Sequence, residues 1–177
     1  RRKLLEVVDA EIPIVVSMGT IAASGGYWIA AEADEIWALP TTLTGSIGAF
    51  SAFPTIEGIV EYIGVTVDGV GTTPLAGAAS FNRGLSPEMA SIVQALAYGA
   101  YDDFIELVAS GRDMSEQAVR EVADGLVWTG AEAAERGLVD ELGGLDEAVA
   151  AAARLAGVEE WRTARTRLPP SFESVLL

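Results

Sequence analysis

The 177-residue chain contains no cysteine and no histidine. Without cysteine there can be no disulfide, no zinc–thiolate centre and no thiol nucleophile, and nothing follows about redox compartment. Without histidine, a Ser-His-Asp relay, an imidazole metal site and an imidazole general base cannot be assembled from this chain. Lysine is almost missing too, since Lys3 is the only one. Basic residues are scarce overall, 11 Lys and Arg against 26 Asp and Glu, for a formal charge of -15. That charge opposes a phosphate backbone and anionic lipid headgroups, so nucleic acid is not expected as a partner.

What is present is a chain with 50% hydrophobic residues, enough for one compact domain with its own core. Arg1-Arg2-Lys3 leads into Leu4 to Asp9, the pattern of an amphipathic helix, and no secretory leader is read there. Ile12 to Ala31 runs twenty residues without a charge, long enough for a membrane span. Pro13, three glycines and several hydroxyls fit a buried strand over Ile12 to Val16 followed by a buried helix from about Ala23 to Ala33.

Ile36 to Leu39 reads as a short strand closed by Pro40, and Thr41 to Gly48 as a loop rich in hydroxyls and glycine. Pro54 opens a helix that stops at Gly64, and Val65 to Val70 alternates like a strand. Gly71 to Arg83 is a thirteen-residue loop, a length that is often functional. Ser86-Pro87-Glu88 starts the longest helix, which keeps an apolar stripe to Gly111. Further helices follow from Ser115 to Gly125, Gly130 to Arg136 and Asp146 to Ala156, with a short strand near Leu138 to Leu142. No internal repeat stands out, the tail from Val158 is expected to be extended, and alternating strands and helices make the class α/β.

The sharpest chemical candidate is Ser24, in Ala22-Ala23-Ser24-Gly25-Gly26, where a strand turns into a helix. A hydroxyl there is exposed to attack a substrate, glycines let a foreign backbone approach, and the first N–H groups of the helix can bind an oxyanion. The plain alternative is a small residue needed where helix meets strand. The arrangement follows the logic of a nucleophile elbow without the usual Gly-x-Ser-x-Gly. Such a serine needs a base. A buried lysine can serve, because desolvation disfavours its ammonium, but Lys3 sits beside Arg1 and Arg2 on a charged opening helix and does not fit.

Ser46, in Thr44-Gly45-Ser46-Ile47-Gly48, could hydrogen-bond a catalytic amine or simply shape a turn. The acidic pairs Asp34-Glu35, Asp102-Asp103, Asp140-Glu141 and Glu159-Glu160 read as caps and solvated faces, because neighbouring side chains diverge; no metal is expected. Gly69-Val70-Gly71 lacks the lysine and spacing of a phosphate loop, and Tyr27 and Trp28 read as core.

Taken together, Ser17-Met18-Gly19, Ala22 to Ile29, Leu43 to Gly48 and Gly130 to Gly143 resemble, in order and spacing, the signal peptide peptidase A (protease IV) family over roughly residues 1 to 160. Val67 to Ala76 is similar to the C-terminal half of its long form. The resemblance implies a ClpP/crotonase-like spiral of ββα units, truncated on its N-terminal side, with a catalytic-half domain over residues 1–158 and a tail over 159–177. It implies a serine endopeptidase with a Ser/Lys dyad: Ser24 as nucleophile, Gly25 N–H in the oxyanion hole and Ser46 as a partner of the lysine. The lysine would come from the N-terminal half of the same protein, since the loop Thr72 to Ala79 carries none.

The implied substrates are cleaved signal peptides or other extended apolar peptides, with no cofactor. The implied setting is the periplasmic side of the inner membrane, through an anchor elsewhere, in a homo-oligomer, a tetramer by the family pattern, with the helix after Pro87 as the candidate packing surface. The alternatives are a non-catalytic oligomerisation domain of the same fold and an acyl-CoA hydratase; the latter needs a CoA pocket and catalytic acids that the sequence does not display.

Overall fold

A computed structural model describes residues 12–73 and 75–164. The helix expected at the start of the chain, with Lys3, and the tail beyond residue 164 lie outside the described residues. The fold is α/β and winds as a spiral in which each turn lays one strand in each of two sheets. Strand β1 (Val15–Met18) is followed by β2 (Ile21–Ala23) and helix α1 (Gly25–Ala30). The next turn gives β3 (Glu35–Ala38) and β4 (Leu43–Gly45). β3 lies parallel to β1, pairing Val15 with Glu35, and β4 lies parallel to β2, pairing Ile21 with Leu43. This repeated strand–strand–helix turn is the ββα spiral that the resemblance implied.

The chain then forms α2 (Glu57–Tyr62), the hairpin β5 (Ala79–Ser80) and β6 (Gly84–Leu85), and α3 (Pro87–Gly111). α4 (Glu116–Arg120) leads to β7 (Val127–Thr129), which joins β4 antiparallel, and α5 (Gly130–Glu135) leads to β8 (Glu141–Leu142), which joins β3 parallel. α6 (Leu145–Leu155) packs across β1 and β3. The strands are short, and β-branched or aromatic residues such as Val15, Val16, Ile36 and Trp37 suit sheets covered on both faces.

The core gathers Tyr27, Ile36, Ile47, Ile105, Val108, Val119 and Leu138. Tyr27 is fully buried, and its hydroxyl donates to the Leu138 carbonyl at 2.8 Å, so burial leaves no unmatched polar atom. That burial pushes the Tyr27 phenol well above its ordinary pKa. Trp28 packs on Phe104 at 4.6 Å between ring centroids, so both aromatics after Gly26 belong to the core, as read. The buried residues of α3, Phe104, Ile105, Leu107 and Val108, lie in its C-terminal part. Among the described residues no helix is long and apolar enough to cross a membrane.

Several expected boundaries shift. The first strand is β1, beginning at Val15 rather than Ile12, and a separate β2 follows where the reading ran on into helix; α1 itself starts at Gly25. A bend at Thr20 splits one apolar run into two strands that enter different sheets, which hydrophobicity alone does not display. Thr41 to Gly48 is only partly loop, because Leu43–Gly45 is β4. Two of its three threonines are tied inward: Thr42 Oγ1 donates to Gly19 O and Thr44 Oγ1 to Ala22 O, each at 2.8 Å. Val65 to Val70 forms no strand, for alternation cannot hold a strand that finds no partner. α2 begins at Glu57, past Pro54, and the expected loop Gly71 to Arg83 includes β5, which pairs with β6 just beyond it. The expected helix caps form, Ser86 Oγ accepting from Met89 N and Ser115 Oγ from Ala118 N, each at 3.2 Å, but α4 stops at Arg120, short of the expected Gly125.

Candidate active site

Ser24 sits at the junction of β2 and α1 with φ 53 and ψ -117, a backbone region that L-residues other than glycine rarely occupy. Such a conformation costs on the order of 1–3 kcal/mol and persists only where neighbours fix it. Two hydrogen bonds do so here. Ser24 N–H donates to the Gly45 carbonyl at 2.8 Å, carrying the β2–β4 ladder one residue past the strands. The Ser24 carbonyl accepts from Trp28 N–H at 2.9 Å, the first bond of α1. The result is an exposed serine on a sharp strand-to-helix elbow.

Gly25 and Gly26 open the helix and are exposed. A Cβ built on Gly25 meets no atom within 4 Å, and one on Gly26 reaches only Ala22 Cβ at 4.0 Å. Packing among the described residues therefore does not require these glycines. The first N–H groups of a helix have no partner within it, and those of α1 start at Gly25.

Ser46 also adopts a positive φ, 51, directly after Gly45 at 73. Its N–H donates to Leu126 O at 2.7 Å, and Gly125 N–H donates to Ile47 O at 3.0 Å, so the segment after β4 is laced to the segment before β7. The lacing is close: a Cβ on Gly45 would lie 2.7 Å from Trp128 Cδ1, and one on Gly48 3.1 Å from Gly125 Cα. Trp128 is itself fixed, its Nε1 donating to Val122 O at 3.2 Å and its ring covered by Arg136 at 3.8 Å.

Ser24 and Ser46 line one cavity of about 670 Å³. Gln94, Ala97, Tyr98 and Tyr101 supply one wall, a helical spacing that presents a single face of α3. Gly48, Ala49 and Phe50 complete the side after β4, and Ala123, Asp124 and Gly125 the side before β7. The structure thus brings together the two serines singled out from the sequence and adds residues that were not. Tyr98, Tyr101 and Asp124 carried no usable signal, because the stripe of α3 read from the sequence lies on the adjoining face and Asp124 looked like one acid among many.

Members of three of the acidic pairs are bonded within the fold. Asp34 Oδ2 accepts from Ile14 N–H and Asp140 Oδ2 from Ile36 N–H, both at 2.7 Å, and Asp140 is also paired with Arg112. Glu35 accepts from Arg154 and from Trp37 Nε1, and these two bonds hold its carboxyl below its ordinary pKa. Asp102 pairs with Arg120. Among the described residues no three His, Cys, Asp or Glu side chains converge as metal ligands. The described residues also contain no lysine, since the chain's single one is Lys3.

A model of peptidase family S49 matches residues 6–159. The protein called protease 4 in Salmonella typhi is 48% identical over 165 residues, covering 88% of this chain and 26% of that protein. Protease 4 of Haemophilus influenzae is 48% identical over 143 residues, covering 81% of this chain and 23% of its own length. The chain thus spans about a quarter of these relatives. Among solved structures, an enoyl-CoA hydratase/carnithine racemase from Magnetospirillum magneticum aligns with 88% of this chain and 43% of its own, with a TM-score of 0.46 and 16% identity.

Proposed function

The chain belongs to peptidase family S49, and from that premise we propose that it carries the nucleophile of a serine endopeptidase whose general base lies elsewhere in the protein. The observation that supports this reading is the strained elbow that holds Ser24 exposed at the edge of a cavity, with open space before Gly25.

In the proposed reaction a neutral lysine amine takes the Ser24 hydroxyl proton as Oγ bonds to the scissile carbonyl carbon. The charge that develops on the carbonyl oxygen is met by Gly25 N–H at the start of α1. Collapse of the tetrahedral species breaks the C–N bond, the amine leaves with the proton from the lysine, and water then releases the acyl group from Ser24. Ser46, beside Ser24 in the cavity, is the proposed hydrogen-bond partner that orients the amine. The proposed substrates are cleaved signal peptides or other extended apolar peptides. The proposed setting is a homo-oligomer on the periplasmic side of the inner membrane, with the N-terminal half of the same protein contributing the lysine and the membrane anchor.

The test uses the full-length protein. A serine-directed fluorophosphonate is expected to label Ser24, identified by peptide mass mapping. Ser24→Ala is expected to abolish labelling and to lower peptide hydrolysis by about 10³ or more. Hydrolysis that survives Ser24→Ala intact, or a Ser24 that does not react, as a pure oligomerisation domain would behave, would sink the proposal.

A further inference from the structure

Asp124, an exposed residue, is part of the lining of the cavity that Ser24 and Ser46 share. The wall around it is aromatic and aliphatic, from Phe50, Ala97, Tyr98 and Tyr101. Two of these rings are not spent on the core, Phe50 being 91% exposed and Tyr98 62%, while Tyr101 packs partly against it. Among the described residues no hydrogen bond or ion pair engages the Asp124 side chain. Arg120, whose guanidinium lies 5.4 Å from the Tyr101 ring centroid, is held by Asp102 and Glu116 instead.

A carboxylate set among aromatic walls matches a side chain with an apolar stem and a cationic head, which lays its methylenes along the rings and its charge against the acid. The other cation that could approach is the catalytic amine. A carboxylate beside that amine would favour the ammonium and weaken it as a base. We infer that Asp124, with Phe50 and Tyr98, forms a subsite for a lysine or arginine side chain of the peptide bound across Ser24. The inference presupposes the proteolytic role proposed above and adds a charge preference to it: an extended apolar peptide is preferred when it carries one basic residue near the scissile bond. The formal charge of -15 favours the encounter with such peptides over acidic ones.

The experiment compares peptide pairs, in the full-length protein, that differ only by lysine against norleucine at one position, scanned along the sequence. At one position lysine is expected to raise kcat/KM about tenfold, the scale of one partly solvated charge contact supported by an aromatic ring. The ratio is expected to fall to about 1 in Asp124→Asn and to be kept in Asp124→Glu. Equilibrium binding of the same labelled pairs to the Ser24→Ala variant reads the subsite without turnover, with the same ratio expected in Kd. A binding ratio near 1 at every position, or one unchanged by Asp124→Asn, overturns the inference. Loss of the proteolytic reading shows separately, as hydrolysis that survives Ser24→Ala, and the binding ratio still decides the subsite in that case.

Discussion

Ser24 and Ser46 both hold positive φ at the edge of one cavity, and Gly45 links them, its carbonyl receiving Ser24 N–H and its own φ being 73. Gly45 cannot be replaced cheaply. An alanine there would keep an unfavourable φ and would push its Cβ into Trp128, whose ring is pinned between Val122 and Arg136. Gly45→Ala is expected to lower stability by about 2–4 kcal/mol in urea unfolding and to reduce fluorophosphonate labelling of Ser24. Gly25→Ala is expected to change stability by less than about 1 kcal/mol, since its Cβ enters open space at a helix start. Equal costs at the two glycines would show that the Gly45 contact does not fix the elbow. From sequence the two glycines look alike, each beside a serine; their difference lies in Trp128, a residue more than eighty positions from Gly45.

At the scale of elements, one device recurs. Asp34 N–H donates to Ile14 O while its carboxylate accepts Ile14 N–H, and Asp140 N–H donates to Ile36 O while its carboxylate accepts Ile36 N–H. Each aspartate stands just before a strand of the β1-β3-β8 sheet and clips it to the preceding turn of the spiral. The repeat is therefore present in the chain as Asp34-Glu35 and Asp140-Glu141, but a two-residue signature separated by over a hundred residues does not stand out as an internal repeat. The two clips differ in one respect: Asp140 also neutralises Arg112, whose side chain is only 7% exposed. Asp140→Ala is expected to cost about 3 kcal/mol, leaving a buried guanidinium unpaired, against about 1 kcal/mol for Asp34→Ala. Urea unfolding of both variants checks this, and a larger loss at Asp34 would refute the role assigned to Arg112.

For the whole molecule, the proposed division of labour predicts that this chain by itself is nearly inactive, because a missing general base removes on the order of 10² to 10⁴ in rate. Peptide hydrolysis by residues 1–177 alone is expected to be about 1% or less of that by the full-length protein, and to recover when the remainder is supplied. Robust hydrolysis by the chain alone, abolished by Ser24→Ala, would show that the base lies within it. The sequence by itself determined the α/β class, the helix caps at Ser86 and Ser115, the burial of Tyr27 and that this chain supplies no imidazole or thiol. These follow from residue identity and from periodicity over a few neighbours, which act locally. Only the tertiary structure decided that Ile12 to Ala31 splits into two strands of different sheets, that Thr42 and Thr44 anchor β4, and that Asp124 and Tyr98 face the cavity of Ser24 and Ser46. Those facts depend on which strands pair and which helix face turns inward, and pairing joins residues whose separation along the chain leaves no local pattern to read.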